Sequence, residues 1–393
     1  MFYLYRGPLQ HTPTGCSRRA IALACEIARR LGVSVDTACD TAILNNSDSP
    51  YPTTRSLDAI LDSLRGSDDG TVCDWVPNPD ADLADAIVGV ARAFDQRLEL
   101  SPYKPLSASQ IITEIESLGF DPLIMEALQS IQTQAPPTPS RLAVMPEALF
   151  RALVILGDED ASYSDIGRLF QSDQVLASSL LGTANSVLFT PVSPITTISR
   201  ALTHIGHDAA KRVIVAATAR PLFASRPLRA LWKHSLIVAN TCEQLARTTG
   251  KADPAEAFLL GLIHDIGRLA IESLPAEPVE TYHRLSEASQ CIVLADMAVL
   301  GMDHGELGAG IIRQWGLPQA LVSAVQKHHH PELSSPMTCL LYLAEFTSGS
   351  DEDVPSLPRL KAAMRGVGLT SLGELMEYSA LNQSSAALMA LAG

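Results

Sequence analysis

The stretch "DPAEAFLLGLIHDIGRLAIESL", residues 253 to 274, decides the fold and raises the functional question. Asp253 can cap a helix and Pro254 suits the first helical position. The helix that follows is apolar on nearly every side, which predicts a buried, central element. His264 and Asp265 interrupt the apolar run. An ionised carboxylate is costly to bury unless it is paired or binds a metal, so the two residues need partners from elsewhere in the chain.

The composition predicts an all-α protein with two helical domains. At 393 residues the chain exceeds what one hydrophobic core usually supports. Ala and Leu dominate, aromatic residues make up 5% of the chain, and no long alternation of Val, Ile and Thr indicates strands.

Charge and cysteine content argue against several classes of function. The formal net charge is −14 and Lys and Arg form no cluster, so nucleic acid is not an expected partner. No apolar run reaches membrane-spanning length, and the start has no apolar signal-peptide core, which predicts a cytoplasmic protein without membrane contact. The 7 cysteines form no CxxC pair, as is typical of a reducing cytosol, and a thiolate zinc site is not expected.

A proline-rich segment divides the chain. In "QTQAPPTPSRLAV", residues 132 to 144, three prolines fall within four residues and cannot continue a helix. We therefore predict a helical domain at 1–135, a linker at 136–143, and a second domain with a C-terminal helical extension at 144–393.

Several polar residues on otherwise apolar helices are candidate partners of His264 and Asp265. His234 starts one helix and His304 starts another, a run of three histidines begins at His328, and Glu345 sits in the apolar "LLYLAEFTSG". Because each lies on or at the end of an apolar helix, we expect them to converge on one interior cavity.

The phrases "LLGTANSVLF", "LWKHSLIVA", "AFLLGLIHDIGRLAIESL", "DHGELGAGIIRQWGLP" and "AVQKHHHPE" follow one another in this order. In this they resemble the HDOD branch, or HD-related output domain, of the HD superfamily of metal-dependent phosphohydrolases. The resemblance implies a helical bundle in a bacterial signalling protein. By position, it implies that a divalent metal would be held by four residues, with two extra ligand positions as in two-metal relatives. The four are His234, His264, Asp265 and Glu345, and the two extra positions fall on His304 and on either His328 or His329.

This chain departs from the family pattern at two positions. Glu345 stands where the family has an Asp, and Arg268 stands where two-metal relatives have a Lys. A guanidinium replaces an amine neither as ligand nor as proton donor. Two interpretations of His264 and Asp265 stay open, a metal site and a hydrogen-bonded relic of one. Histidine and carboxylate ligands without thiolates suit Fe, Mn, Zn or Ni almost equally.

The first half resembles an eroded HD-GYP domain, a two-metal family associated with cyclic dinucleotides. The phrases "FDQRLELSPYKPLS" and "FDPLIMEAL" carry this resemblance. Cys16 stands where the family has its first ligand His, and Arg92 stands where it has the last metal Asp. Since a guanidinium repels a cation, the first domain is expected to bind no metal in the family manner.

Together these features predict a regulatory protein that works by docking signalling proteins, whose identity the sequence does not give. The sequence leaves open whether the protein forms a homodimer. The alternative is a metal-dependent phosphohydrolase or phosphodiesterase that uses His234, His264, Asp265 and Glu345, with His304 and His329 holding a second ion or contacting phosphate.

Overall fold

The computed structural model describes residues 18–32, 83–100, 106–133, 162–172, 174–186, 189–223, 228–331, 335–348, 357–371 and 375. Every regular element in these ranges is a helix, so the predicted all-α class is confirmed. Among these helices, none combines the length and the apolar character that crossing a bilayer requires. Cys16 and the predicted linker at 136–143 lie outside the described residues.

The α-helices, numbered in chain order, have the following bounds. They are α1 (Arg18–Arg30), α2 (Leu83–Leu100), α3 (Ala108–Glu116), α4 (Pro122–Gln129), α5 (Tyr163–Ser172), α6 (Gln174–Ala184), α7 (Ile198–Ile205), α8 (His207–Ala219), α9 (Leu228–Thr249), α10 (Pro254–Ile263), α11 (Ala276–Ser289), α12 (Ile292–Ala295), α13 (His304–Gln314), α14 (Gln319–Gln326), α15 (Pro336–Ser348) and α16 (Leu357–Val367). Two 3₁₀ segments, Arg220–Phe223 and Ile266–Ser273, and one π-helix, Asp296–Leu300, complete the described elements.

The chain forms two compact units whose sequence ranges interleave. The first comprises residues 1–137, 271–304 and 351–359, and the second comprises 138–270, 305–350 and 360–393. The domain boundaries expected from the sequence stay a prediction, because compactness alone does not establish that a segment folds independently.

The first unit is organised around α1, which packs against α2 and α11. Leu23 and Ile27 on α1 are fully buried, as expected for the apolar stripe of an amphipathic helix. Polar contacts join the same helices. The guanidinium of Arg19 donates to Asp95 on α2 at 2.6 Å, and that of Arg284 on α11 donates to the buried Glu26 at 3.1 Å.

Local sequence signals set the start of α3 and α4. Ser107 and Gln110 form a reciprocal capping box at the start of α3. At α4, Asp121 accepts from the backbone N–H of Leu123, and Pro122 occupies the first turn.

The second unit is built on α9, a 22-residue helix that packs against α10 and α15. Asp253 caps α10 as predicted, since its carboxylate accepts from the backbone N–H groups of Ala255 and Glu256. Helices α9 and α10 approach closely at Gly261, where a Cβ atom would lie 2.6 Å from the Cα of Ala239. Only glycine allows this approach, which fixes the end of α10 against α9.

Candidate metal centre

His264 and Asp265 lie at the end of α10 rather than within it. The α-helix ends at Ile263, His264 is its C-cap, and a 3₁₀ segment starts at Ile266. Both side chains are 0% exposed. The carboxyl end of a helix carries a partial negative charge, so this position favours a cation or a protonated imidazole.

Two buried histidines present the same ring nitrogen to the site. The Nδ1 atom of His264 lies 2.8 Å from the carbonyl oxygen of Gly261, and Nδ1 of His328 lies 2.6 Å from that of Val325. Because a carbonyl oxygen can only accept, each Nδ1 carries the proton. The Nε2 atom of each ring then carries the lone pair that a metal ion would bind, which is the usual arrangement of metal-binding histidines.

The Nε2 atom of His264 is close to three polar side chains. It lies 2.6 Å from Glu345 Oε1, 3.3 Å from Asp265 Oδ1 and 3.3 Å from His234 Nε2. His328 packs edge-on against the His264 ring, with ring centroids 5.5 Å apart.

The candidate ligand atoms fall into two overlapping sets. His234, His264 and Asp265 form one set, and Asp265, His328 and Glu345 form the other, with all ligand atoms of a set within 4.8 Å of one another. Atoms that share one cation lie within about twice a metal–ligand bond length of roughly 2.1 Å. The three distances from His264 Nε2, 2.6 Å to Glu345 and 3.3 Å to both Asp265 and His234, lie within this limit, so these atoms can share one ion.

Glu345 Oε1 provides the observation that tests whether a metal fits. The atom is buried and, within the described part of the chain, makes no hydrogen bond of acceptable geometry, although His264 Nε2 lies 2.6 Å away. A carboxylate oxygen and a bare imidazole nitrogen repel each other at that distance unless a proton or a cation lies between them. The donor set therefore fits a divalent cation.

The surroundings of Glu345 keep it ionised. Burial alone would raise the pKa of this carboxyl group. In the metal-free protein, the positive charge that His264 and His328 carry when protonated, together with the nearby imidazole of His234, outweighs burial and holds the pKa well below its usual range. Glu345 is 8% exposed, so its helix does not present it to solvent.

Arg268 is part of the site. Its Nη1 atom donates to Asp265 Oδ2 at 2.8 Å, and its side chain is 19% exposed. One oxygen of Asp265 thus contacts a permanent cation, while the other lies near His264. The sequence identified Arg268 only as a departure from the family pattern and gave no indication of this ion pair.

The remaining predicted site residues lie at different places. His328 joins the set with Asp265 and Glu345. Its neighbour His329 is buried and packs on the His328 ring at a centroid distance of 3.8 Å. Metal binding by His329 stays a prediction.

His304 is the last residue of the first unit's middle segment and is fully buried. Its Nδ1 atom lies 2.6 Å from Oδ2 of Asp296, a residue that sequence reasoning missed. The available signal was a lone aspartate in the apolar run "LADMAVL", residues 294 to 300. Metal binding by His304 also stays a prediction.

A separate cavity of about 420 Å³ opens at the start of α8 and is lined by none of the candidate metal ligands. Arg212 and Arg247 line it; both are bonded to Glu243, and Arg247 is also bonded to Asp208. Since their charge is already compensated, this cavity has no excess of positive charge with which to attract an anion.

Residues 142–331 match the sequence profile of the HDOD domain. A protein of Treponema pallidum (strain Nichols), whose function is uncharacterized, is 24% identical over 211 residues. That match covers 52% of this chain and 41% of the relative, so the chain spans less than half of that relative's length.

Three solved structures share the fold. One from Shewanella amazonensis SB2B, provisionally named a phosphohydrolase, is 24% identical with a TM-score of 0.52, and the match covers 64% of this chain and 95% of that one. An HDOD domain protein of unknown function from Geobacter sulfurreducens is 21% identical with a TM-score of 0.54, covering 68% and 97%. A protein from Marinobacter aquaeolei VT8, provisionally named a signal transduction protein, is 19% identical with a TM-score of 0.56, covering 68% and 64%.

At these identities the structural likeness concerns the fold alone. Together with the sequence match, it shows that residues 142–331 are similar to the HDOD domain and that this chain shares a helical fold with these structures. The matched residues include His234, His264 and Asp265, whereas Glu345 lies beyond the end of the matched range.

Proposed function

We propose that the chain is a bacterial regulatory protein of signal transduction whose HDOD domain binds one divalent metal ion and which acts through protein–protein contacts. One observation carries the proposal. Two imidazoles and two carboxylates face one another in a buried site, and a permanent cation is bonded to one of the carboxylates.

The donor set supports metal binding. His264 and His328 would contribute Nε2 atoms, with their Nδ1 atoms bonded to backbone carbonyls, and Asp265 and Glu345 would contribute oxygens. His234, whose side chain is 13% exposed, would complete the set from the more accessible side. Fe, Mn, Zn and Ni all accept such ligands. A divalent ion bound there would act as a Lewis acid towards an oxygen-containing ligand.

Arg268 supports a regulatory rather than a hydrolytic role. A guanidinium stays protonated at all physiological pH values, so Arg268 can neither donate nor accept the proton that hydrolysis requires. Its bond to Asp265 Oδ2 also places a positive charge beside that oxygen, which disfavours a second cation there.

For the first half of the chain, we propose a degenerate HD-GYP-like domain without a family-type metal site. Arg92, on α2, takes the position of the last metal Asp in the resemblance. We propose that this domain contacts signalling proteins in the cytoplasm, with a homodimer as one assembly and with no role for nucleic acid or membranes. The net charge of −14 supports the exclusion of nucleic acid.

The alternative proposal is a metal-dependent phosphohydrolase or phosphodiesterase. It is favoured by the complete first ligand set, since His234, His264, Asp265 and Glu345 are all present and close together. In this alternative His304 and His329 would hold a second ion or contact phosphate.

The experiment that tests both proposals is elemental analysis of tag-free protein loaded separately with Fe, Mn, Zn or Ni. The wild type is compared with a double variant, His264→Ala with Asp265→Ala. A matched control replaces the exposed His283 and Glu280 by Ala. We expect about one ion per chain in the wild type and the control, and none in the double variant.

Absence of metal from the wild type under every loading condition would rule out the metal site. A phosphate-ester substrate screen on the metal-loaded protein then separates the two functions. Hydrolysis that His264→Ala abolishes would reject the regulatory proposal in favour of the phosphohydrolase.

A further inference from the structure

Residues 174–242 carry a net charge of opposite sign to the rest of the chain. They contain seven basic residues and one acidic residue, Asp208, which gives a net charge of +6. The other 324 residues contain 22 basic and 42 acidic residues, which gives a net charge of −20. Since the stretch makes up 69 of 393 residues, an even spread of the 43 acidic residues would place about 7 of them there. The stretch is therefore depleted of acidic residues.

The fold brings these basic residues together on neighbouring helices. Helix α6 packs against α7 and α8, and the 3₁₀ segment Arg220–Phe223 packs against α8 and α9. All of these elements belong to the second unit. The six basic residues that the structure describes are exposed or half-buried, and they are Arg200, Lys211, Arg212, Arg220, Arg229 and Lys233. The excess of positive charge in the sequence thus lies at the surface of this group of helices.

Two of these cations have no carboxylate partner. Asp208, the one acidic residue of the stretch, is bonded at 3.1 Å to Arg247, which lies outside the stretch. Among the residues that the structure describes, no carboxylate lies within ion-pair distance of Arg229 or Lys233, and both side chains are exposed. Their charge is therefore available to a molecule in solution.

The position of Arg229 and Lys233 is unfavourable for the protein alone. Helix α9 begins at Leu228, so both residues lie in its first two turns, four residues apart and on the same side. Like charges at this spacing destabilise a helix, and the amino end of a helix disfavours cations. The first turn of α9 contains no acidic residue that would offset them. Two exposed cations at a place that costs stability indicate a role in binding an anionic partner.

The surroundings favour an acidic protein surface over nucleic acid or a membrane as this partner. A DNA duplex carries one negative charge per roughly 1.7 Å of its axis, and a chain whose other residues have a net charge of −20 repels such an extended anion. Nor do the described side chains of the stretch offer an exposed aromatic ring for base stacking, since Trp232 is buried and Phe189 is half-buried. A protein presents its acidic groups over a limited area, which a small basic surface can match.

We propose that the surface formed by Arg229 and Lys233 at the start of α9 docks an acidic segment of a partner protein. This inference rests on the part of the proposed function that assigns protein partners to the chain. It does not depend on the metal site.

Fluorescence anisotropy with the full chain tests the proposal. The probe is a labelled peptide of alternating Glu and Ala, and the control probe has Gln in place of each Glu. We expect the acidic peptide to bind the wild type, with an affinity that falls as the salt concentration rises, and the Gln peptide not to bind.

A charge-removing variant locates the binding surface. Arg229→Gln with Lys233→Gln should weaken binding of the acidic peptide about 10-fold, because each exposed pair of opposite charges contributes modestly. The matched control, Arg313→Gln with Lys361→Gln, removes two exposed charges of the same unit outside the stretch and should keep wild-type affinity. Thermal unfolding midpoints show whether each variant is folded. We expect the first variant to be at least as stable as the wild type, because it removes two unfavourable charges from α9.

The outcomes separate this inference from the proposed metal site. No binding of the acidic peptide to the wild type, wild-type affinity in the folded Arg229→Gln, Lys233→Gln protein, or an equal loss in the control variant would each overturn the docking surface. Tighter binding of single-stranded DNA or of phosphatidylserine vesicles, lost in the same variant, would overturn the assignment to a protein partner. If the double variant does not fold, Lys233→Gln alone decides. Elemental analysis of the same samples reports on the metal site separately, so a wild type that binds metal but no peptide refutes the docking surface only.

Discussion

Both units contain buried carboxylates, and these carboxylates have two kinds of partner, arginine and histidine. In the first unit, Glu26 is bonded to Arg29 at 3.2 Å and to Arg284 at 3.1 Å, and Asp95 to Arg19 at 2.6 Å. In the second unit, Glu345 lies 2.6 Å from an imidazole of His264. An arginine is always charged and neutralises a buried carboxylate permanently, whereas an imidazole can lose its proton and bind a metal.

The comparison shows that burial of a charge does not by itself identify a functional site. Glu243, also in the second unit, is bonded to Arg212 and Arg247 and in this resembles Glu26 and Asp95. Asp265 combines both kinds of partner, since its two oxygens lie beside Arg268 and His264. The type of partner distinguishes a structural ion pair from a candidate ligand set.

The largest expected effect is on metal affinity, which should depend on the carboxylate beside histidines and not on the carboxylate beside arginines. Glu345→Gln removes an anionic ligand from the histidine set, so we expect the metal affinity to fall at least about 100-fold, roughly 2.7 kcal/mol. Glu26→Gln removes an arginine-bound carboxylate and should leave the affinity unchanged. Chelator competition measures both. Equal affinities in the two variants would show that the histidine-bound carboxylate is no more a metal ligand than the arginine-bound one.

The next effect concerns stability. Glu26→Gln leaves three arginines without their shared carboxylate, and we expect the free energy of unfolding to fall by about 2 kcal/mol. The loss is moderate because Arg29, Arg30 and Arg284 are 33%, 23% and 43% exposed and can be rehydrated. Urea unfolding measures it, with exposed Glu280→Gln as the matched control. A loss below about 0.5 kcal/mol would show that the network is not structural.

A smaller effect should appear in acid. The pKa of Glu345 is held well below its usual range, because the neighbouring histidines outweigh the opposing effect of burial. A depressed pKa in the folded state stabilises at pH values above the unfolded pKa of about 4.3, and this stabilisation is lost as the pH falls further.

Metal-free wild type and Glu345→Gln should therefore differ most in unfolding free energy above about pH 5 and converge on acidification. Urea unfolding at a series of pH values measures the difference. A difference that grows as the pH falls below about 4 would contradict the direction of the pKa shift.

The smallest expected effect is an absence of reaction. Burial raises the pKa of the Cys242 thiol well above its usual range, and the charge of Glu345 adds to the shift. We expect iodoacetamide at about pH 8 to leave Cys242 unmodified in the native protein and to modify it after unfolding. Mass spectrometry of peptides measures this. Rapid native labelling would show that the core beside Glu345 is open to solvent.

Local signals in the sequence predict much of the fold and part of the site. The Asp253 cap and the apolar run that follows it specify α10, because both act within a few residues. The same run identified His264 and Asp265 as candidate site residues, since they are polar residues in an otherwise apolar segment. Convergence with Glu345 was expected from its position on an apolar helix and from the family resemblance, but the distances were not, because a sequence does not give the distance between helices.

The contacts that the sequence did not predict depend on the direction of side chains and on the path of the chain between helices. Arg268 follows Asp265 by three residues, but the transition to a 3₁₀ segment sets the direction of both side chains. Asp296 and His304 are eight residues apart and meet because a π-helix and Gly301 turn the chain between them. Glu26 and Arg284 are 258 residues apart.

That last separation has a consequence for synthesis of the chain. Helix α1 packs against α11, so the first unit cannot close until the ribosome has added the 258 residues between Glu26 and Arg284. At about 5–20 residues per second this takes roughly 13–50 s. During that interval α1 lacks α11, one of its packing partners, which exposes the nascent chain to aggregation and chaperone binding. A fragment that stops before α11 would remain in that state.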